Sequence, residues 1–480
     1  MKLLRITLFL IALFSFSVSH ADSQRQPDCI VSISGQLRQT VRFGIDAERL
    51  WFYWKEQNDQ LARLAVGELK ADYARVPMNC AYEREEGVID PQAYGDVIIP
   101  MMKTFRKYNP ELQFFASPRP LKEAYDKETE SDLIAQNFKH GNIGMAAYPV
   151  WVGGHKRLLK KEIRGVQLDK WVRYLADYLN LMAKHGLDIA YLDLMNEDQS
   201  MWAGNIDNIL YVIDTLPSRL DPGVKMPQIV FPSTWSPHDG MRRFLTSPSV
   251  VGRQSEVLQK IGVVSTHNTP DGNRENFKED DLFTFANAVR AIDPEKELWN
   301  TEMHGWVGIR SPSEDILNSV ILWRHLEAGF SGINTWLFFG PWKGAGHPMV
   351  YSNRRNGPET TAKYEIFKSL VNDMHQGRYV LSGATDDRIV SAVLTKDDKL
   401  FVSLLNRSED SVSIQIELPE KTLIRGDVTV RLWESSRNVP FPQVSRNKNL
   451  HKKESWNYEL PPQSLVHFVF RVKQVKKQKK

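Results

Sequence analysis

Cysteine is nearly absent: the 480-residue chain has two, Cys29 and Cys80. A chain this long buries a sizeable core without a disulfide framework. The pair therefore forms one accessory bridge in an oxidising compartment or stays as two buried thiols. Apolar runs long enough for a membrane span of about 20 residues are also missing; the extended stretch Ile6 to Phe16 is shorter. No Gly-x-Ser-x-Gly elbow occurs, which argues against an α/β-hydrolase nucleophile. The glycines of Gly153-Gly154-His155-Lys156-Arg157 lack the Gly-Lys-Ser/Thr context that cradles phosphate. Charge of one sign is scarce as well. The formal net charge is +4, of which Lys2 and Arg5 supply two, and five lysines crowd the last eight residues, KQVKKQKK. The body is thus near neutral or slightly acidic. That balance argues against nucleic acid as the main partner and makes residues 473–480 a solvated basic tail.

What is present starts with MKLLRITLFLIALFSFSVSHADSQ. Lys2 and Arg5 precede an apolar stretch that ends before the small-x-small site Ser19-His20-Ala21, the layout of a secretory signal peptide over residues 1–21. No cysteine stands at the cleavage point, so no lipid anchor is expected. The mature chain starts near Asp22, has no membrane span, and is expected to be secreted or periplasmic. With 42% hydrophobic and 25% charged residues the composition is that of a soluble globular protein, and its 13 tryptophans suit sugar stacking as well as core filling.

From about residue 40 to 340, eight short apolar runs alternate with amphipathic segments: 41–45, 73–79, 112–119, 189–197, 228–234, 262–268, 297–304 and 332–339. The helical texture is plainest before the fourth run, where Trp171, Leu175, Tyr178, Leu179 and Met182 recur at helical spacing, Asp169 can cap the start and Gly186 ends it. Parallel strands need such crossovers, and eight units predict a (β/α)8 TIM barrel. A last helical pattern covers 363–380; beyond about 387 period-two alternation predicts a β-sandwich. The expected order is a strand segment (22–40) able to join the sandwich, a barrel (41–380), a β-sandwich (381–472) and the tail.

A barrel brings the C-terminal ends of its strands to one mouth. Those ends carry Arg75 and Asn79, Ser117 and Arg119, Asn196 and Glu197, Trp235, His267 and Asn268, Glu302 and His304, and Trp336. Two glutamates thus face each other from the fourth and seventh strands. Glycoside hydrolysis requires such a pair, one protonating the leaving oxygen and one attacking the anomeric carbon, about 5 to 5.5 Å apart in retaining enzymes. Arg75 and His267 can hold the nucleophile ionised, while Glu197 must keep its proton to act as acid. Trp336 can floor a sugar subsite, His304 can line one, and Trp151, Trp202, Trp235, Trp306 and Trp342 fall in predicted mouth loops. Glu302, His304 and His267 are too few ligands for a zinc hydrolase, so no metal and no other cofactor is expected.

These residues resemble the clan A retaining glycoside hydrolases. The stretches ASPRPLKEAY, LMNED, LWNTEMHGW and KYEIFKSLVND, with the appended sandwich, are most similar to glycoside hydrolase family 30. The resemblance implies Glu302 as nucleophile, Glu197 as acid/base and Asn196 as partner of the sugar 2-hydroxyl. Asp198 stands where that family usually has proline, and Thr301 where it more often has serine. The expected function is a retaining β-glycosidase acting on a polysaccharide or oligosaccharide. The alternatives are an agarase or porphyranase type of the same clan, or a glycan binder without catalysis. Neither sugar, linkage nor oligomeric state is legible.

Overall fold

The computed structural model describes residues 26–47, 50, 54–78, 82–83, 85–118, 150–152, 167–197, 205–248, 250–269, 279–306, 311–340, 348–353, 357–451 and 454–474. Residues 1–21, expected to form a signal peptide, and Asn79, Cys80, Arg119, Trp202, Trp342 and the end of the tail lie outside the described residues. Cys29 is a buried free thiol. Among the described residues no helix is long and apolar enough to cross a membrane.

Strand β1 (Cys29–Thr40) precedes eight parallel strands that close into a barrel: β2 (Arg42–Asp46), β3 (Tyr73–Met78), β4 (Gln113–Pro118), β5 (Ile189–Asp193), β6 (Gln228–Thr234), β7 (Val263–His267), β8 (Glu297–Met303) and β9 (Gly332–Thr335). Helices connect them. The helix Leu168–Lys184 buries Trp171, Leu175, Tyr178, Leu179 and Met182 as their spacing predicts, and Gly186 follows it at φ 70°. Gln167, not Asp169, occupies the cap position. Asp169 sits in the first turn and accepts from the Tyr211 hydroxyl.

The lower barrel interior is a layer of large side chains: Tyr73, Phe115, Tyr191, Val230, Val263 and Trp299. Tyr73 and Trp299 stack at 4.7 Å between ring centroids. They fit because β2 and β9 contribute glycine. A Cβ on Gly44 would sit 2.2 Å from the Tyr73 ring, and one on Gly332 would sit 2.3 Å from Trp299. Two strands therefore supply no side chain to this layer so that their neighbours can fill it.

A three-stranded sheet, β10 (Phe339–Gly340), β11 (Val350–Asn353) and β12 (Gly357–Thr360), leads to the helix Ala362–Met374. The helical pattern expected to reach 380 stops earlier, because Gln376 takes φ 58° and Gly377 follows; the chain is already extended at Arg378. Strands β13 (Arg378–Ala384), β14 (Ile389–Lys396), β15 (Lys399–Asn406), β16 (Val412–Glu417), β17 (Thr422–Glu434), β18 (Gln443–His451), β19 (Ser455–Leu460) and β20 (Ser464–Gln474) join β1 in one sheet ordered β18-β17-β20-β15-β14-β13-β1-β16-β19. Strand β1 runs antiparallel to β13 and parallel to β16. The sheet folds over itself: Tyr458 of the edge strand β19 meets Phe468 of β20 edge to face at 5.1 Å. The result is a β-sandwich whose β20 continues through Lys473 and Gln474.

Alternation along β15 serves two cores. Leu400, Val402 and Leu404 enter the sandwich interior, whereas Phe401 and Leu405 pack into the barrel's hydrophobic shell with Trp433 and Leu465. The two layers are thereby fixed to one another.

Gly44→Ala and Gly332→Ala overpack the barrel floor. Each is expected to lower stability by about 1–3 kcal/mol, read as a lower urea midpoint for unfolding, with the secondary structure retained.

Candidate active site

Strand β5 ends at Asp193, four residues before Glu197, earlier than its apolar pattern predicts. The chain turns out of the sheet at Asp193, whose Oδ1 accepts from the Met195 N–H at 3.1 Å, and Glu197 then takes φ 52°. Such a left-handed conformation costs a non-glycine residue about 1 kcal/mol and marks places where the surroundings over-determine the backbone. Here the Glu197 N–H donates to the Ser233 carbonyl at 3.1 Å, and Ser233 is itself left-handed at φ 46°. The Ser233 N–H donates to Ser265 Oγ at 2.9 Å. Two interlocked turns at the ends of β5 and β6 thus carry the first carboxylate inward.

Glu302 arrives differently, on a strand whose ladder is interrupted on both sides. Pairing of β7 with β8 shifts between Thr266 and His267, and pairing of β8 with β9 jumps from Asn300 to Met303. Amide side chains replace the lost backbone partners. Asn300 Oδ1 accepts from the Glu302 N–H at 3.0 Å, Asn268 Oδ1 accepts from the His304 N–H at 2.8 Å, and Asn268 Nδ2 donates to the His304 carbonyl at 2.9 Å. Asn300 Nδ2 also donates to Asn268 Oδ1 at 2.9 Å and faces His325 Nε2 at 2.7 Å. His325 Nδ1 lies 2.7 Å from the Ile321 carbonyl, so Nδ1 carries the proton and Nε2 accepts from Asn300. Burial pushes the His325 pKa down to about 4 and keeps it neutral.

Arg75 connects the strands. Its guanidinium is fully buried, ion-paired with Asp46 at 3.0 Å and with Glu302, and it donates to Ser117 Oγ at 2.8 Å and to Asn196 Oδ1. Ser117 passes the contact on to Asp193 at 2.8 Å. Burial raises the Asp193 carboxyl pKa, with the Arg75 charge opposing it. Asp46, Asp193, Asn300 and His325 are parts of the site that sequence reading missed; the acid and amide within otherwise apolar runs were the available signal.

The two acids come together. A carboxylate oxygen of each and a ring nitrogen of His267 all lie within 4.8 Å of one another, with Glu197 4% and Glu302 3% exposed. Their surroundings differ. Glu302 carries the Arg75 cation, whereas Glu197 Oε1 meets His267 Nδ1 at 2.6 Å and the Thr269 hydroxyl at 3.2 Å. His267 therefore serves chiefly Glu197; it is 3.8 Å from Glu302, which it was expected to support.

His304 Nε2 is 3.6 Å from Glu302, and its ring lies 5.4 Å from that of Trp336. Trp336 is half-buried, and its backbone is held by the Met303 carbonyl at 3.1 Å and by Lys363 Nζ at 3.1 Å. Lys363 is buried, which pulls its pKa down to about 8. The Trp235 carbonyl accepts from the N–H of Thr269, the residue that touches Glu197. Two other tryptophans belong elsewhere. Trp306 is buried against Phe367 with its Nε1 donating to the Asp315 carbonyl, so it is core. Trp151 donates to the Glu83 carbonyl and packs edge-on against Tyr174.

No family profile and no curated protein matches the sequence. Solved structures do. The catalytic domain of a GH30 xylanase C from Talaromyces cellulolyticus is 13% identical, with a TM-score of 0.64 over 92% of this chain and 99% of that one. In fold, the chain is similar to the family 30 glycoside hydrolases. A GH30 endoxylanase from Clostridium papyrosolvens C71 is 16% identical at a TM-score of 0.60, covering 92% of this chain and 100% of that one. The likeness extends to a GH51 arabinofuranosidase from Xanthomonas axonopodis pv. citri, 12% identical at 0.58 over 92% and 99%.

In this family-30-like barrel, Asn300→Leu strips partners from Glu302, Asn268 and His325 together, and is expected to destabilise by about 2 kcal/mol or more. His325 titrates near its ordinary 6.5 when unfolded and near 4 when folded. Between those values the unfolded chain binds more protons, so acid weakens the fold through this residue. The unfolding-midpoint gap between wild type and His325→Gln should be widest above pH 6.5 and shrink toward pH 4.

Proposed function

We propose that the chain is a secreted or periplasmic retaining β-glycoside hydrolase that cleaves a polysaccharide. Glu302 is the nucleophile and Glu197 the general acid/base. The observation that carries this reading is the approach of two buried carboxyls to within 4.8 Å in unlike surroundings, one against a guanidinium and one against an imidazole and a hydroxyl. A separation of about 5 Å suits direct attack on the sugar and leaves no room for an interposed water, which points to retention.

In the first step a Glu302 oxygen bonds to the anomeric carbon as the glycosidic bond breaks, and Glu197 gives its proton to the departing oxygen. In the second, Glu197 takes a proton from water, which attacks the anomeric carbon and releases Glu302. Arg75 matches the negative charge that Glu302 carries before attack and regains after it. The proton donor of the first step is the proton acceptor of the second.

Unsatisfied polar atoms point to the class of ligand. Asn196 Nδ2, His267 Nε2, His304 Nε2 and Trp235 Nε1 are buried and make no hydrogen bond among the described residues. Buried polar groups without partners cost about 1–3 kcal/mol each. Three of them, on Asn196, His267 and His304, belong to side chains that meet Arg75, Glu197 or Glu302, which suits a ligand rich in hydroxyls. Asn196, anchored through Oδ1 to Arg75, offers Nδ2 to the 2-hydroxyl. His304 lines the adjoining subsite, and Trp336 and Trp235 supply stacking surfaces.

Glu302→Gln should reduce kcat/KM by at least about 10⁴-fold while leaving fold and oligosaccharide binding intact. A protein that binds glycans without cleaving them would have no activity to lose. Glu197→Gln should retain a burst of product from an aryl glycoside whose leaving group needs no proton, with azide restoring turnover. Assay against glucans, xylans and agar-type galactans, with the product anomer read by NMR, should yield the β anomer first; an α product overturns the retaining assignment.

A further inference from the structure

The barrel-facing side of the sandwich sheet does not stay apolar along its length. At one end Trp433, Leu465 and Leu405 pack into the barrel shell. At the other, the same face opens into a cleft of about 780 Å³ lined by Lys399, Arg425, Arg431, Arg446 and Arg471, with Asp373 contributed by the helix Ala362–Met374. Lys363, on the same helix, bonds the Trp336 carbonyl at the mouth. Ten residues at 1.5 Å each separate it from Asp373, so the cleft stands about 15 Å from the mouth along that helix.

A bulge shapes the cleft. Pairing of β17 with β20 runs through Ile424↔Val472 and resumes at Thr429↔Val469, so residues 425–428 oppose only 470–471. Gly426 takes φ 82° within the extra length. Bulges of this kind re-aim side chains and often border functional sites. Here the bulge carries Arg425 to the cleft.

Most of the cations there have no acidic partner among the described residues. Arg431 alone is satisfied, by Asp373, which also lies 3.4 Å from His467. Against the upward push of burial, His467 and Arg431 hold Asp373 below the usual carboxylate range, so its charge is already engaged. Lys399, Arg425, Arg446 and Arg471 are exposed, and their side chains form no hydrogen bond or ion pair among the described residues. Lys399 stands directly opposite Arg471 across the β15–β20 ladder. Like charges in that position destabilise a sheet. Asp398 and Asp427 also line the cleft, leaving five cations against three carboxylates on a body that is otherwise near neutral.

We propose that this cleft is a second binding site, for the oxyanion groups of a carboxylated or sulfated polysaccharide. Arginine forks match carboxylate and sulfate in paired hydrogen bonds. None of the described lining residues is aromatic, so the described lining offers no ring on which a nucleobase stacks. The site is independent of the catalytic reading.

Affinity electrophoresis of the full chain in gels containing polygalacturonate, dextran sulfate or neutral dextran tests it. Retardation by one or both anionic polymers and not by dextran is expected, and the two anionic arms separate carboxylate from sulfate preference. Arg425→Gln/Arg446→Gln/Arg471→Gln should weaken retention at least about tenfold, and Arg446→Glu alone should act in the same direction. Lys103→Gln/Lys184→Gln/Lys225→Gln, on the barrel surface, should change it little. Four outcomes overturn the proposal: no retardation; equal loss in the barrel-lysine variant; loss with Lys476, Lys477, Lys479 and Lys480→Gln but not with the arginine variant; or an equally tight, arginine-dependent complex with a single-stranded oligonucleotide.

Discussion

A guanidinium buried in the centre of a barrel must find all its partners there, and the rest of the site follows from how Arg75 does so. Its contacts come from four strand ends: Asp46, Ser117, Asn196 and Glu302. Breaking a buried ion pair by removing one partner costs about 3–5 kcal/mol, far more than a surface pair contributes. The geometry of β2, β4, β5 and β8 is therefore tied to one cation. The charge that orients Glu302 also braces the upper barrel.

Neither acid is delivered by regular sheet, and the molecule departs from it in two ways. On the β5 side the backbone itself turns left-handed at Glu197, clasped by Ser233. On the β8 side the ladder slips, and the side chains of Asn268 and Asn300 stand in for missing backbone partners. His325 closes that network from behind, useful only while it stays neutral, which its burial ensures. The two acids end in chemically different settings because one is delivered by backbone strain and the other by an amide lattice.

This contrast explains what was legible in the sequence. The barrel was, since eight apolar runs separated by amphipathic helices allow few other arrangements, and most strand limits fall within a residue of the pattern. The convergence of Glu197, Glu302, Arg75 and Asn196 was legible because strand ends meet at one mouth, whatever their separation in the chain. The slips were not. Nothing in IAYLDLMNE announces that the strand stops at Asp193, and a register shift beside His267 brings it closer to Glu197 than to Glu302, the carboxylate the sequence paired it with. Trp306 read as a mouth residue, since its position after β8 is compatible with either a subsite or the Phe367 contact. Lys363 was invisible because its partner is a backbone carbonyl.

Strand β1 lies between β13 and β16 in the sandwich, although the entire barrel separates it from them along the chain. The sandwich is thus a discontinuous unit with the barrel inserted in it. During synthesis the first strand emerges hundreds of residues before the partners it pairs with, and must wait, its Cys29, Val31 and Ile33 uncovered, while the barrel is made. Closure of so distant a contact is intrinsically slow and leaves an exposed edge in the meantime. Because β20 sits between β15 and β17 in that sheet, the sandwich cannot be completed until the last strand of the chain has been made, and the barrel has every partner it needs before then.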